Sequence, residues 1–421
     1  MHPAKPIGIQ ESAKLVCLSF KGDMLKADVA LPASKSESNR ALLLQKLSGG
    51  GELSNLSPAN DTVLMKALLR SDDPVCDAHD AGTAFRFLTA YNAISGLERT
   101  LTGTERMCQR PIGILGDALQ ALGADIEYTG QAGYPPLKTK GFTWSGLKEI
   151  DVRGDVSSQY ISALCMVAPL LPEGLRIHLR GHVGSRPYIY MTLALMETFG
   201  ICGHFAGNMI EIPAGAYKPA DYAIESDWSG AGYWFSMAAL AKDTDLLLRG
   251  LRENSLQADR HIVNIAHCFG LKTMFTPEGV RVQKSGEAIS CPPPQNFSDC
   301  PDLAQTVITL CAALHLPLEF CGTESLHIKE TDRMAALQNE LQKIGANIKE
   351  VSEGNYVLEF ADKTAALPLV PEFHTYKDHR MAMAFAPVAL QKTIKIDNPA
   401  VVIKSYPAFW EHLEAAGFSV D

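Results

Sequence analysis

Two hydrophobic patterns recur along the 421 residues with nearly the same period. In the first, an amphipathic helical stretch ends in an apolar residue and glycine, and the alternating positions of a strand follow. It occurs at Leu122-Gly123-Ala124, Phe199-Gly200-Ile201, Phe269-Gly270-Leu271, Ile344-Gly345-Ala346 and Ala416-Gly417-Phe418. The glycines stand 77, 70, 75 and 72 residues apart. Each is predicted to end a helix in the left-handed conformation, which costs little without a Cβ. Behind four of the five come strand-turn-strand patterns, such as Lys272-Thr273-Met274-Phe275 and then Gly279-Val280-Arg281-Val282.

The second pattern is a polar cap leading into a helix that is apolar nearly all round. It starts at Ser34, Asp80, Asp155, Asp227, Asp299 and Lys377, so that after a first interval of 46 the starts are 75, 72, 72 and 78 apart. The stretches 161–170 and 381–390 carry no charged residue and are predicted to be buried helices. A unit of roughly 70 residues then supplies one buried helix, one outer helix and several strands. Six such units predict an α/β chain of two domains with three units each. The short first interval predicts that an N-terminal strand leaves one domain early, with a return crossing near 224–227. The expected division is 34–225 for one domain, and 1–33 with 226–421 for the other.

Composition narrows the class. Hydrophobic residues make up 46% and charged residues 20%, as in a soluble globular protein. The net charge is −9 with no basic block, which excludes a sequence-blind nucleic-acid binder. Ten cysteines include no C-x-x-C pair and no Cys/His ligand spacing, and His178 and His182 are separated by Arg180 and Gly181. Neither a disulfide frame nor a metal site is expected. The stretch 1–19 has no signal or transit pattern, and the longest apolar run, near 163–171, is too short to span a bilayer. A cytoplasmic location without membrane contact is expected.

Charged and hydrogen-bonding groups gather at the helix starts. Lys35 and Arg40 lie at the first, Arg86 just inside the second, Ser157, Ser158 and Gln159 at the third, and His379 and Arg380 at the sixth. Arg106, Arg110, Ser185, Arg186, Lys404 and the run Lys329-Glu330-Thr331-Asp332-Arg333 flank them. A helix N-terminus offers free N–H groups and a positive dipole end, so converging starts would suit a strongly anionic small molecule, or two together. Asp302 and Glu330 stand among these cations, where an acid serves proton transfer rather than anion binding. Capping by Asp302, and pairing of Glu330 and Asp332 with Arg333, remain the alternative.

The motifs Ser34-Lys35-Ser36-Glu37-Ser38-Asn39-Arg40, Ala81-Gly82-Thr83-Ala84-Phe85-Arg86, Arg106-Met107-Cys108-Gln109-Arg110-Pro111-Ile112 and Val156-Ser157-Ser158-Gln159 come in one order along the chain. Ser185-Arg186-Pro187-Tyr188-Ile189, Pro301-Asp302, Lys329-Glu330-Thr331-Asp332-Arg333 and Asp378-His379-Arg380-Met381-Ala382 follow them. Together they resemble the 5-enolpyruvylshikimate-3-phosphate synthase family over almost the full length. The resemblance implies a two-domain inside-out α/β barrel, each domain three βαβαββ repeats around buried helices, closing over its substrates. It implies transfer of the enolpyruvyl group of phosphoenolpyruvate to the 5-hydroxyl of shikimate 3-phosphate through a tetrahedral intermediate, without cofactor or metal, in a monomer.

Position by position, the resemblance gives shikimate 3-phosphate to Lys35, Ser36, Arg40, Ser157, Ser158, Gln159, Ser185, Tyr188, Asp302, Ser325 and Lys329. Phosphoenolpyruvate falls to Lys35, Gly82, Arg110, Gln159, Arg333, Arg380 and Lys404. Asp302 would accept the hydroxyl proton, Glu330 would take part in proton transfer at C3, with Lys35 the other candidate to protonate it, and Lys35 would assist the leaving phosphate. Asp80, Phe87, Ser325 and the fourth start, Asp227-Trp228-Ser229-Gly230, depart from the usual residues of the family. Two rivals are weighed. The sister transferase acting on UDP-N-acetylglucosamine typically has a Cys five residues before an Arg-Pro pair, where this chain has Glu105. A non-catalytic anion-binding repeat protein would have no use for Asp302 and Glu330.

Overall fold

A computed structural model describes residues 14–155, 157–360 and 367–421; Val156 of the third helix start and the first part of the 1–19 stretch lie outside them. The five periodic glycines explain the local order. Gly123, Gly200, Gly270, Gly345 and Gly417 have φ of 111°, 87°, 68°, 80° and 96°, a region that a residue with a Cβ rarely enters. Each stops a helical segment, and strands begin at once behind four of them, at Ala124–Tyr128, Leu271–Thr276, Ala346–Ser352 and Phe418–Val420.

The chain divides into two compact units, one of Ala33–Glu225 and one of the remainder, up to Pro32 and from Ser226 to Asp421. In the second, three four-stranded sheets share one strand order. Gln295–Asn296 pairs in parallel with Leu318–Cys321, which pairs antiparallel with Asn355–Phe360, with Ala346–Ser352 at the edge. Met24–Ala30, Asp243–Arg249, Gly279–Lys284 and Leu271–Thr276 repeat that order. The third sheet is built from both chain ends: Leu15–Phe20 inserts between Ile394–Asp397 and Phe418–Val420. Val16 lies opposite Ile396 and Leu18 opposite Ile394, so four buried side chains share one face.

Within Ala33–Glu225, two sheets follow the same order, one ending in Ala124–Tyr128 and one in His204–Ala206. The third is reduced to Leu53–Ser54 beside Tyr222–Ala223 in parallel. A 46-residue interval has no length for the antiparallel pair, so this unit holds two full repeats and an abbreviated one rather than three equal copies.

Each unit buries three helices: Lys35–Ser48, Gly82–Ile94 and Ser158–Val167 in one, Trp228–Leu240, Ala304–Ala313 and His379–Phe385 in the other. Two stop short of their apolar runs. Pro169 and Pro387 lack the N–H that an α-helix needs, so the chain tightens into the 3₁₀ turns Ala168–Leu170 and Ala386–Leu390.

Candidate active site

In the unit Ala33–Glu225, two arginines converge on one glycine. Gly82 opens the helix Gly82–Ile94; a Cβ there would stand 2.7 Å from Arg86 Nη1 and 2.8 Å from Arg110 Nη1. Arg86 Nη1 donates to Gly82 O at 2.9 Å, and its guanidinium lies over the Tyr160 ring. The result is a helix N-terminus backed by two cations. Gln159 ties the next helix start to it, donating Nε2 to Thr83 Oγ1 at 3.1 Å, and Ser157 caps that helix by accepting from Gln159 N. Gln159 Oε1 is buried without a partner among the described residues.

Lys35, the first residue of its helix, holds its Nζ 3.1 Å from Asp61 Oδ2. Ser36 is half-buried and its carbonyl accepts from Arg40 Nη1 at 2.8 Å. Arg40 is 2% exposed, its Nε donating to Thr192 and its Nη2 to Ser162, with its guanidinium near the Phe87 and Tyr188 rings. Burial pulls it down to about 10, opposed by Tyr188, Cys165 and Glu37, so it remains charged at neutral pH. Ser158 heads its helix, and Ser185 precedes Arg186–Thr198 with φ 55°, left-handed for a residue other than glycine.

The other unit concentrates carboxylates and guanidinium groups. Arg333, 1% exposed, donates to Asp378 at 2.7 Å, Asp302 at 3.1 Å and Glu330 at 3.0 Å. Glu330 turns its second oxygen to Lys404 Nζ at 3.1 Å. Arg380 lies 2.8 Å from Asp302 Oδ2 and also donates to Ser229 Oγ, Tyr233 Oη and Asp302 O. Burial would raise the Asp302 carboxyl, but Arg380, Lys329 and Arg333 outweigh it and hold it well below the usual range. Asp302 therefore faces two arginines. Glu330 does pair with Arg333, whereas Asp332 caps the helix Arg333–Leu341 and pairs with His327. Ser325 sits half-buried in the 3₁₀ turn Glu324–Ile328, just before Lys329.

Among the described residues, no group of three or more His, Cys, Asp or Glu side chains is placed to hold a metal ion. The sequence reading missed Asp61, Asp259, Thr192 and the pairing role of Asp378. Asp378 lay inside a motif, but nothing in the order of residues shows which cation it meets.

A family model described as EPSP synthase (3-phosphoshikimate 1-carboxyvinyltransferase) matches residues 67–413. The chain belongs to that family. A 3-phosphoshikimate 1-carboxyvinyltransferase from Bacteroides fragilis is 45% identical over 399 residues, covering 94% of this chain and 96% of the relative. One from Photorhabdus laumondii is 36% identical, covering 93% and 96%. The structure of an EPSP synthase from Acinetobacter baumannii superposes with a TM-score of 0.77 at 18% identity, covering 97% of this chain and all of that one. The two-domain inside-out α/β fold implied by the motifs is the fold of this chain.

Three departures from the EPSP synthase pattern have visible settings. Asp80 precedes Ala81, the N-cap of the helix Gly82–Ile94, and its Oδ1 accepts from the Thr104 hydroxyl. Phe87 is fully buried with its ring against Arg40. Trp228 is fully buried as well, and its N–H donates to Gln257 Oε1 at 3.0 Å.

Proposed function

We propose that the chain is a 3-phosphoshikimate 1-carboxyvinyltransferase, transferring the enolpyruvyl group of phosphoenolpyruvate to the 5-hydroxyl of shikimate 3-phosphate with release of phosphate. One observation carries the reading: Asp302 and Glu330 are held among Arg333, Arg380 and Lys404, in a chain 45% identical to a protein of that name. A site that only bound anions would gain nothing from acids placed there. One that moves protons needs them.

In this reading the shikimate hydroxyl adds to C2, its proton passes to Asp302, and Glu330 delivers a proton to C3. The tetrahedral intermediate then returns a C3 proton to Glu330 and expels phosphate, assisted by Lys35. Asp302 is held ionised, the form that accepts a proton. Substrate anions arriving at Arg333 and Arg380 would withdraw part of the field that keeps its basicity low. Phosphoenolpyruvate is assigned to Lys35, Gly82, Arg110, Gln159, Arg333, Arg380 and Lys404. Shikimate 3-phosphate is assigned to Lys35, Ser36, Arg40, Ser157, Ser158, Gln159, Ser185, Tyr188, Asp302, Ser325 and Lys329. Arginines suit the forked contact with carboxylate and phosphate that lysine cannot make. Holding two reactants in register is worth at best about 7–11 kcal/mol of the barrier.

The proposed form is a cytoplasmic monomer. All ten cysteines are free thiols, and among the described residues no helix is long and apolar enough to cross a membrane. Sedimentation of the purified protein checks the monomer.

The test mixes purified protein with phosphoenolpyruvate and shikimate 3-phosphate, without added metal, and follows phosphate release. A parallel reaction contains UDP-N-acetylglucosamine. Release with shikimate 3-phosphate alone is expected. Release with the sugar nucleotide alone would move the assignment to the sister reaction, and release with neither would leave an anion binder.

A further inference from the structure

Asp259 is 3% exposed, on the 3₁₀ turn Ala258–His261, and none of the roles above falls on it. Its Oδ2 accepts the hydroxyl hydrogen of Ser229. Ser229 Oγ in turn accepts from Arg380 Nη2 at 3.3 Å, and that same nitrogen lies 2.8 Å from Asp302 Oδ2. A hydroxyl has one hydrogen. Because Asp259 takes it, the lone pairs of Ser229 are left for Arg380. The stretch before the turn is pinned to the same helix start, since Gln257 accepts from Trp228 N and donates to Ser226 O at 2.8 Å. Asp259 Oδ1 is buried with no hydrogen-bond partner among the described residues. Half of the carboxyl is therefore unsatisfied, and its ionised form is costly.

We propose that Asp259 is a positioning residue of this site, fixing Arg380 beside Asp302 through the Ser229 hydroxyl and grading, by its own charge, how strongly Arg380 attracts an anionic substrate. The inference rests on the enolpyruvyl-transfer reading and adds a pH-dependent hold on phosphoenolpyruvate to it. The groups facing Asp259 are Asp302, Arg380, Asp227, Ser229 and Cys300. Burial first, then Asp302, and to a smaller degree Asp227, push its carboxyl up to about 7 against Arg380 and Ser229. At lower pH Asp259 is neutral, and Arg380 keeps more of its positive field for a ligand. At higher pH a further negative charge stands behind Arg380, and the hold weakens. By linkage, binding of the anion draws a proton onto Asp259.

The experiment measures KM for phosphoenolpyruvate and kcat from pH 6 to pH 8 at saturating shikimate 3-phosphate, in the unmodified protein and in Asp259→Asn. Titration of the substrate's own phosphate is common to both. KM of the unmodified protein rises across that range relative to the variant, by up to about ten-fold in the limit where only the neutral carboxyl permits binding. The variant's kcat profile stays parallel. A measurement without substitution accompanies it: calorimetry of phosphoenolpyruvate binding at pH 7, in buffers of different ionisation enthalpy, should show net proton uptake. Parallel KM profiles, or no uptake, overturn the inference while leaving the reaction in place. Absence of phosphate release from the unmodified protein removes the reaction reading and this inference together.

Discussion

Arg333 donates its Nε to Asp378 Oδ2 at 2.7 Å, with 2% and 0% of the two side chains exposed. The same carboxylate accepts from Arg380 N at 2.8 Å, so one acid both orients Arg333 and caps the helix His379–Phe385. Removing one partner of a pair shut off from water strands the other. Asp378→Ala is expected to cost about 3–5 kcal/mol, read from the urea midpoint of unfolding. Arg333→Lys keeps the charge but loses the fork that reaches three carboxylates. It should fold and lose most of its turnover. A lysine variant of full activity would show that the fork is dispensable.

Gly82→Ala is a test of space rather than of backbone freedom. The new Cβ would fall within 3.0 Å of both Arg86 and Arg110, and these arginines must shift. KM for phosphoenolpyruvate is expected to rise by about ten-fold, equivalent to about 1.4 kcal/mol, with KM for shikimate 3-phosphate changing far less. An equal rise for both substrates would count against the assignment of this cradle.

Asp302→Asn keeps one acceptor oxygen for one of Arg333 and Arg380, turns an amide NH2 toward the other, and removes the proton acceptor. Its kcat should fall by about 10²–10⁴-fold while substrate affinity, measured by calorimetry, holds within a few-fold. Retained turnover would shift the base to another group.

His412 supplies a stability prediction. Burial lowers its pKa, opposed by Glu411, and its Nδ1 lies 2.7 Å from the buried Tyr406 hydroxyl. The folded protein thus holds fewer protons at this site than the unfolded chain. The stabilisation is present above the unfolded value of about 6.5 and is lost as pH falls below it. Urea midpoints from pH 7.5 to 5 should decline more steeply in the unmodified protein than in His412→Gln; identical slopes would contradict this.

Local rules made much of the architecture legible. The periodic glycines announced helix ends because a positive φ is a single-residue property, and Ser34, Ser157, Asp227 and Asp378 announced helix starts because a cap reaches only two or three residues ahead. Asp80 also reaches beyond its neighbours: its side chain meets Thr104, 24 residues away in the chain. The site was legible as an inventory of charges and not as a set of pairings. Lys35 with Asp61, Arg333 with Asp378, and Asp259 with Ser229 lie 26, 45 and 30 residues apart, and only the packing of whole helices brings them together.

The insertion of Leu15–Phe20 between Ile394–Asp397 and Phe418–Val420 also orders events during synthesis. The ribosome makes this strand well before its partners, which follow about 380 to 400 residues later, a wait of roughly 20–80 seconds at elongation rates of about 5–20 residues per second. The uninterrupted stretch Ala33–Glu225 has all its pairing partners long before then. Arrested nascent chains with 260 to 390 residues outside the ribosome should therefore resist protease over 33–225 and be cut at 15–20; early protection of 15–20 would contradict this order. The strand Leu15–Phe20 acts as a latch for its sheet, set only once Phe418–Val420 has been made.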